Sequence, residues 1–124
     1  MKIPAGYQRV MPYLLLNDVE GFLKFTQKVF GAKEKMRHNR EGSNEVMHAE
    51  ITIGDSTIMM GQTSKDWGVQ NAGLYIHVEN ADETFKQAIS EGATEVMPVT
   101  DQSYGRSGGV TDPFGNTWWV TTTV

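Results

Sequence analysis

With 124 residues, 39% of them hydrophobic and 21% charged, the chain has the make-up of one folded domain and leaves no room for a second. It contains no cysteine, which excludes disulfides, thiolate chemistry and Cys-based metal sites, and no apolar run approaches the roughly 20 residues that cross a bilayer. The net charge of −4, with Lys33, Lys35, Arg37 and Arg40 interrupted by Glu34 and Glu41, provides no surface for tracking phosphates, so neither nucleic acid nor membrane is an expected partner. The start of the chain lacks the charged-then-apolar pattern of a signal peptide, and a cytoplasmic location is expected.

Residues 10–16 read as a strand, with Pro12 marking an edge or a strand start. Asn17 and Glu20 then form a capping-box signature, Phe22, Phe25, Val29 and Phe30 recur at helical spacing, and Gly31 closes the helix. Residues 32–40 and 45–53 read as strands around the turn 41–44, and a further turn at 54–56 leads into a strand over 57–60. Residues 62–72 read as a linker. The order then recurs: a strand at 74–78, a helix at 80–91 with its own capping box at Asn80 and Glu83, and strands at 94–99, 109–111 and 118–121. Residues 100–108, rich in Gly, Ser and Asp, read as a loop, and residues 112–116 as a tight turn.

The recurrence extends to residue identity. Gly31-Ala32-Lys33-Glu34 returns 61 residues on as Gly92-Ala93-Thr94-Glu95, and the turn glycine Gly54 returns at the same offset as Gly115. Two copies of one supersecondary unit are therefore expected, neither able to bury its apolar face alone. They are module 1 at about residues 8–61, a linker at about 62–72 and module 2 at about 73–124. The expected fold class is α+β, with eight strands and two helices.

Asp112-Pro113-Phe114-Gly115-Asn116-Thr117-Trp118-Trp119, the stretch from His48 to Ser56, and Tyr104-Gly105-Arg106 carry a resemblance. The chain resembles the vicinal oxygen chelate superfamily, which includes glyoxalase I, fosfomycin- and bleomycin-resistance proteins and extradiol dioxygenases, and within it most resembles the PhnB-like branch. That resemblance implies paired βαβββ modules curling into an incomplete barrel, in a homodimer. It also implies where metal ligands would stand: at Met11 and Gly73 on the first strand of each module, at Trp119 on the last strand, and at Ile58 or Met60 in the first half. None of these side chains suits a hard or borderline divalent ion, which needs N or O donors. A one-residue slip of the first strand would substitute Arg9, Val10 or Pro12, and none of these is a ligand either. No inherited metal site and no cofactor are expected.

Period-two alternation assigns faces. Met47, Ala49, Ile51 and Ile53 should meet the helices, leaving His48, Glu50 and Thr52 opposite; likewise Tyr75, His77 and Glu79 oppose Leu74, Ile76 and Val78. The last strand puts Trp118 and Val120 inside and Thr117, Trp119 and Thr121 opposite. A concave sheet would thus gather Tyr13, His48, Glu50, Tyr75, His77 and Trp119 into an aromatic, partly polar pocket suited to a small molecule. Arg106, on the glycine-rich segment, and Trp67, on the linker, would sit on lids, Arg106 as a cation for an anionic group on a ligand.

Blander assignments exist for the same residues. A solvated polar face would account for Glu50, Thr52 and Glu79, a plain hydrogen-bonded pair for His48 and Glu50, and a dimer interface for Tyr75 and Trp119. The leading expectation is a metal-free protein that binds a small organic molecule between its modules. The alternative is an enzyme of lyase, isomerase or dioxygenase type. It would use His48 as acid or base, with Glu50 and His77 assisting, or these three as displaced metal ligands. A third class is a concave face that docks a partner chain.

Overall fold

The computed structural model describes residues 1–123, so Val124, assigned above to the second module, lies outside the described residues. The elements run β1 (Tyr13–Leu16), α1 (Val19–Phe30), β2 (Lys33–Asn39), β3 (Val46–Ile53), β4 (Ser56–Gln62), β5 (Gly73–His77), α2 (Ala81–Ser90), β6 (Thr94–Gln102), β7 (Gly105–Thr111) and β8 (Thr117–Thr123). They form two four-stranded sheets of identical order, β1-β4-β3-β2 and β5-β8-β7-β6. In each sheet the first and last strands pair in parallel and the rest antiparallel. The repeat in the sequence is therefore a repeat of βαβββ topology, and the fold is α+β with no closed barrel.

Local chemistry sets the helix ends. The N-cap of α1 is Asp18 rather than Asn17: Asp18 Oδ1 accepts from Gly21 N at 2.9 Å, while Asn17 Oδ1 accepts from Thr63 Oγ1 at 2.8 Å. At the far end Gly31 takes a left-handed φ of 67°, and its N–H bonds back to Gln27 O. Asn80 caps α2 as its sequence signature predicts, accepting from Glu83 N at 3.1 Å.

One core serves both modules. Phe22 and Phe25 on the buried face of α1 reach beyond their own sheet, which contributes Leu14, Leu16, Ala49, Ile51 and Met60. Phe30 stands 4.4 Å from Trp118 of β8 between ring centroids, and Phe22 packs edge-on to Phe114 at 6.0 Å. Aromatic rings thus pack across the module boundary into one shared core.

Two segments differ from their sequence-based assignments. Residues 62–72 are not a free linker: β4 runs to Gln62, and Gln70 exchanges both backbone hydrogen bonds with Leu15 at 2.9 and 3.1 Å, covering the outer edge of β1. Residues 100–108 are not a loop: they lie almost wholly in the β6–β7 hairpin, which turns at Ser103-Tyr104. The glycines of β7 serve close packing more than turning. A Cβ on Gly109 would lie 2.5 Å from Trp119 Cζ3, and one on Gly108 would lie 2.7 Å from Val99 Cγ2.

Candidate functional site

Cross-strand partners share a face, so the register lays out each open face row by row. In module 1 one row runs Tyr13, Met59, Glu50 and Met36, and the next runs Leu15, Gly61, His48 and His38. In module 2 the matching rows are Tyr75, Trp119, Gly109 and Met97, then His77, Thr121, Ser107 and Thr100. The expected outward positions of Tyr13, His48, Glu50, Tyr75, His77 and Trp119 follow from these rows. Ile58 and Met60 do not face out: they are core residues, and Met59 is the outward residue of β4.

On module 1 the side chains join into a chain of hydrogen bonds. Tyr13 Oη lies 2.9 Å from His48 Nδ1, His48 Nε2 lies 2.8 Å from Glu50 Oε2, and Tyr7 Oη donates to Glu50 Oε1 at 2.5 Å. Gly61, across from His48, lets the Tyr13 phenol pass close over the sheet, since a Cβ there would sit 3.3 Å from Tyr13 Oη. Glu50 is 3% exposed, so it is not part of a solvated face. Burial pushes its carboxyl up, but hydrogen bonds from His48 and Tyr7 outweigh burial and hold it below the usual carboxylate range. The Tyr7 hydroxyl is raised in turn by its bond to Glu50, by burial and by the carboxylate charge.

The leading segment places Tyr7, and this residue was missed in the sequence. Gly6 O accepts from Thr57 Oγ1 at 2.7 Å, Gln8 Oε1 accepts from Thr57 N at 3.1 Å, and Lys35 Nζ lies 3.8 Å above the Tyr7 ring. Residues 6–8 thus lie across the open face of module 1, ahead of the strand that begins at Tyr13. No periodicity marks them, because a segment that crosses a sheet face follows neither the helical nor the strand period.

Module 2 carries no such chain. Tyr75 and His77 meet edge to face at 5.2 Å, the Trp119 ring lies over Gly109, and Ser107 Oγ bonds Thr121 Oγ1 at 2.8 Å. Arg106 lies in β7 with its guanidinium committed: Nε and Nη2 bond Asp82 at 2.7 and 3.0 Å, and Nη1 bonds Asp101 at 2.9 Å. These two partners raise its pKa, and the Arg106 guanidinium in turn lowers that of Asp82. The structure therefore brings Tyr13, His48 and Glu50 together, and Tyr75 with His77. It does not bring the two sets into one cavity. Tyr13 lines a cleft of about 640 Å³ with Trp67, Leu15, Met47 and Arg40, whereas Tyr75 and His77 line one of about 510 Å³.

His48, Glu50 and His77 do not form a three-ligand set: among the described residues no three His, Asp or Glu side chains come together in a way that would hold a metal ion. In the first row of the parallel strand pairs, Tyr13 and Met59 in one module and Tyr75 and Trp119 in the other, there is no imidazole or carboxylate, and in the second row, Leu15 and Gly61 then His77 and Thr121, His77 is a lone imidazole. The one buried carboxylate on the module 1 face, Glu50, already holds two donors. This donor set does not fit a divalent ion.

Residues 8–120 match the glyoxalase/bleomycin resistance protein/dioxygenase superfamily. The chain belongs to that superfamily. An uncharacterized protein of Mycobacterium bovis is 29% identical over 119 residues, covering 86% of this chain and 78% of its own. The PhnB protein of Bacillus cereus superimposes with a TM-score of 0.72 at 15% identity, covering 94% of this chain and 100% of its own. A bleomycin-binding protein of Streptomyces verticillus, complexed with copper(II)-bleomycin, superimposes with a TM-score of 0.60 at 19% identity, covering 99% of this chain and 100% of its own. At these identities the two superpositions establish the shared fold.

Proposed function

We propose that this superfamily member binds a small organic molecule without a metal, in the cleft beside the open face of module 1. The observation that carries the reading is the cleft itself. At about 640 Å³ it has the size of a small-molecule site, Tyr13 and Trp67 supply aromatic surface, Leu15 and Met47 supply apolar surface, and Arg40 and Asp66 add charge at its border. Trp67 is 63% exposed, yet the turn that bears it is fixed, since Ser64 and Trp67 exchange both backbone hydrogen bonds. An aromatic surface that is exposed and already ordered loses little freedom on binding. The likeness in fold to a protein complexed with copper(II)-bleomycin makes bleomycin a reasonable first probe.

Calorimetric titration with metal-free and copper-loaded bleomycin, alongside a thermal-shift panel of planar aromatic amines and acids, tests the reading. A saturable site weakened about tenfold or more by Trp67→Ala supports it. A panel with no saturable binder, or binding indifferent to Trp67, overturns it. Metal analysis of tag-free protein tests the metal-free part, which one specifically held metal per chain would overturn.

The reading includes a homodimer. Tyr13, Tyr75, Met36 and Val96 are between 39% and 52% exposed, apolar and aromatic surface of the kind a second copy would cover. Sedimentation at micromolar concentration should give twice 13.8 kDa, and a strictly monomeric mass refutes this part. A second reading, acid–base enzymology at His48, is favoured by the hydrogen-bonded placement of that imidazole between Tyr13 and Glu50.

A further inference from the structure

The hydrogen bonds on the module 1 face have a direction. An ionised carboxylate only accepts, so His48 Nε2 carries a hydrogen toward Glu50. In the neutral ring Nδ1 then carries a lone pair, and the group 2.9 Å from it is the Tyr13 hydroxyl. Tyr13 is thereby the donor: Tyr13 O–H to His48 Nδ1, and His48 Nε2–H to Glu50 Oε2. This assignment follows from the network rather than from a located hydrogen. Tyr13 is the most exposed member of the chain, and Tyr7 at its other end is half-buried. Tyr13 is 49% exposed, whereas the side chains of His48 and Glu50 are 24% and 5% exposed.

The fold does not require this arrangement, because the chain builds the same sheet twice. In module 2 the register position of Tyr13 is Tyr75, that of His48 is Ser107 and that of Glu50 is Gly109. Tyr75 is 52% exposed and has no hydrogen-bonded imidazole, only the ring contact with His77. Of two tyrosines at the same place in the same topology, the first thus has an imidazole–carboxylate pair hydrogen-bonded behind it and the second does not.

We propose that Tyr13 is the reactive residue of this face, a phenol nucleophile towards ester-type acyl compounds, with His48 as its base and Glu50 as the residue that positions His48. In the step, Tyr13 Oη bonds to the acyl carbon and the C–O bond to the leaving group breaks, the leaving oxygen keeping the electron pair. The phenol proton moves to His48 Nδ1, and the resulting imidazolium stays bonded to the Glu50 carboxylate. That proton then passes to the departing alkoxide, directly or through water. The balance is an acylated Tyr13 and an alcohol, with no oxidant, reductant or metal involved. The step differs from one in which His48 meets the ligand itself, and it does not require the natural occupant of the cleft.

The test is labelling of the intact protein with p-nitrophenyl acetate, read by mass spectrometry of peptides. Tyr13 should take up acetyl about a hundredfold faster than Tyr75 and Tyr104, which are 52% and 46% exposed and serve as controls in the same molecule. His48→Asn should slow Tyr13 about a hundredfold and leave Tyr75 unchanged, and Tyr13→Phe should remove the fast phase. Glu50→Gln should shift the pH profile as well as the rate, a change that a purely structural role would not produce. The ionisable groups facing His48 are Tyr13, Glu50 and His38, with Tyr7 and Lys35 beside Glu50. Labelling of Tyr13 no faster than Tyr75 overturns the proposal, and so does a fast phase that persists in folded His48→Asn. Because the Tyr13–Tyr75 comparison uses wild-type protein, a variant that fails to fold leaves the test intact. Since acetyl uptake is read without a cleft ligand, it succeeds or fails separately from small-molecule binding.

Discussion

Asp112 should be the most costly single carboxylate to remove, although it lies away from the candidate site. It is 3% exposed and holds four donors: Phe114 N and Asn116 N on Oδ1, both at 2.9 Å, and Asn116 Nδ2 at 3.0 Å and Trp118 Nε1 at 2.9 Å on Oδ2. Asp112→Ala would leave the indole N–H of Trp118, 1% exposed, and the Asn116 amide, 0% exposed, without their charged partner. Hydrogen bonds to a charged group contribute about 1.5–3 kcal/mol each, and a buried donor left unsatisfied costs about 1–3 kcal/mol. Allowing for relaxation and water entry, the loss should come to about 3–5 kcal/mol, a large share of the roughly 5–15 kcal/mol that stabilises a typical domain. For a chain of this size that corresponds to a fall in Tm of about 10–20 °C. Urea titrations of wild type and Asp112→Ala, followed by tryptophan fluorescence, should show a lowered midpoint at unchanged slope. Glu45→Ala, which removes an exposed pair with Arg40, is the control and should cost less than about 1 kcal/mol. A loss at Asp112 no larger than that of the control would refute the reasoning, because it would mean that the four bonds contribute nothing net.

Three further perturbations probe the site and the core. The carboxyl of Glu50 is lowered, so its contribution to stability is complete above the unfolded carboxylate range and disappears as pH falls through the lowered folded value. Between about pH 6 and about pH 3 wild type should therefore lose stability more steeply than Glu50→Gln, and parallel curves would contradict the assignment. Gly109→Ala places a methyl 2.5 Å from Trp119 Cζ3 and should cost about 1–3 kcal/mol with a shifted tryptophan emission maximum; an unchanged spectrum would mean that Trp119 does not lie over this glycine. Phe22→Ala should cost about 3–5 kcal/mol while both modules still unfold in one transition, since Phe22 packs on Phe114 and Trp118 of the other half. Two separate transitions would show that the shared core does not couple the modules.

The arrangement of elements was readable in the sequence because short-range physics fixes it. Gly31 and Asn80 end and begin helices through bonds within a few residues, and alternation separates the two faces in β5 and in β3 from His48 on. Met47, expected against the helices, is instead 41% exposed beside the register shift that pairs Asn39 with Val46. The same alternation named Tyr13, His48, Glu50, Tyr75, His77 and Trp119 as outward residues. The order of the strands was implied by the repeat, since two copies of one βαβββ unit adopt one solution twice.

What the sequence withheld depends on approaches between residues far apart in the chain. Glycines 105 and 108 suggested a loop, yet they belong with Gly109 to one strand, in which Gly108 sits beneath Val99 and Gly109 beneath Trp119. Arg106 suggested a free cation until Asp82, 24 residues away, was found to hold it. Tyr7 carried no signal at all, because its role exists only where Glu50, 43 residues on, faces it. Alternation also placed Tyr13 and Tyr75 on one concave surface, whereas they line different clefts. Periodicity is set by backbone geometry over a few residues and so determines which way a side chain points. Which other side chain it meets is decided by how sheets, helices and the leading segment pack, and that is a property of the whole chain.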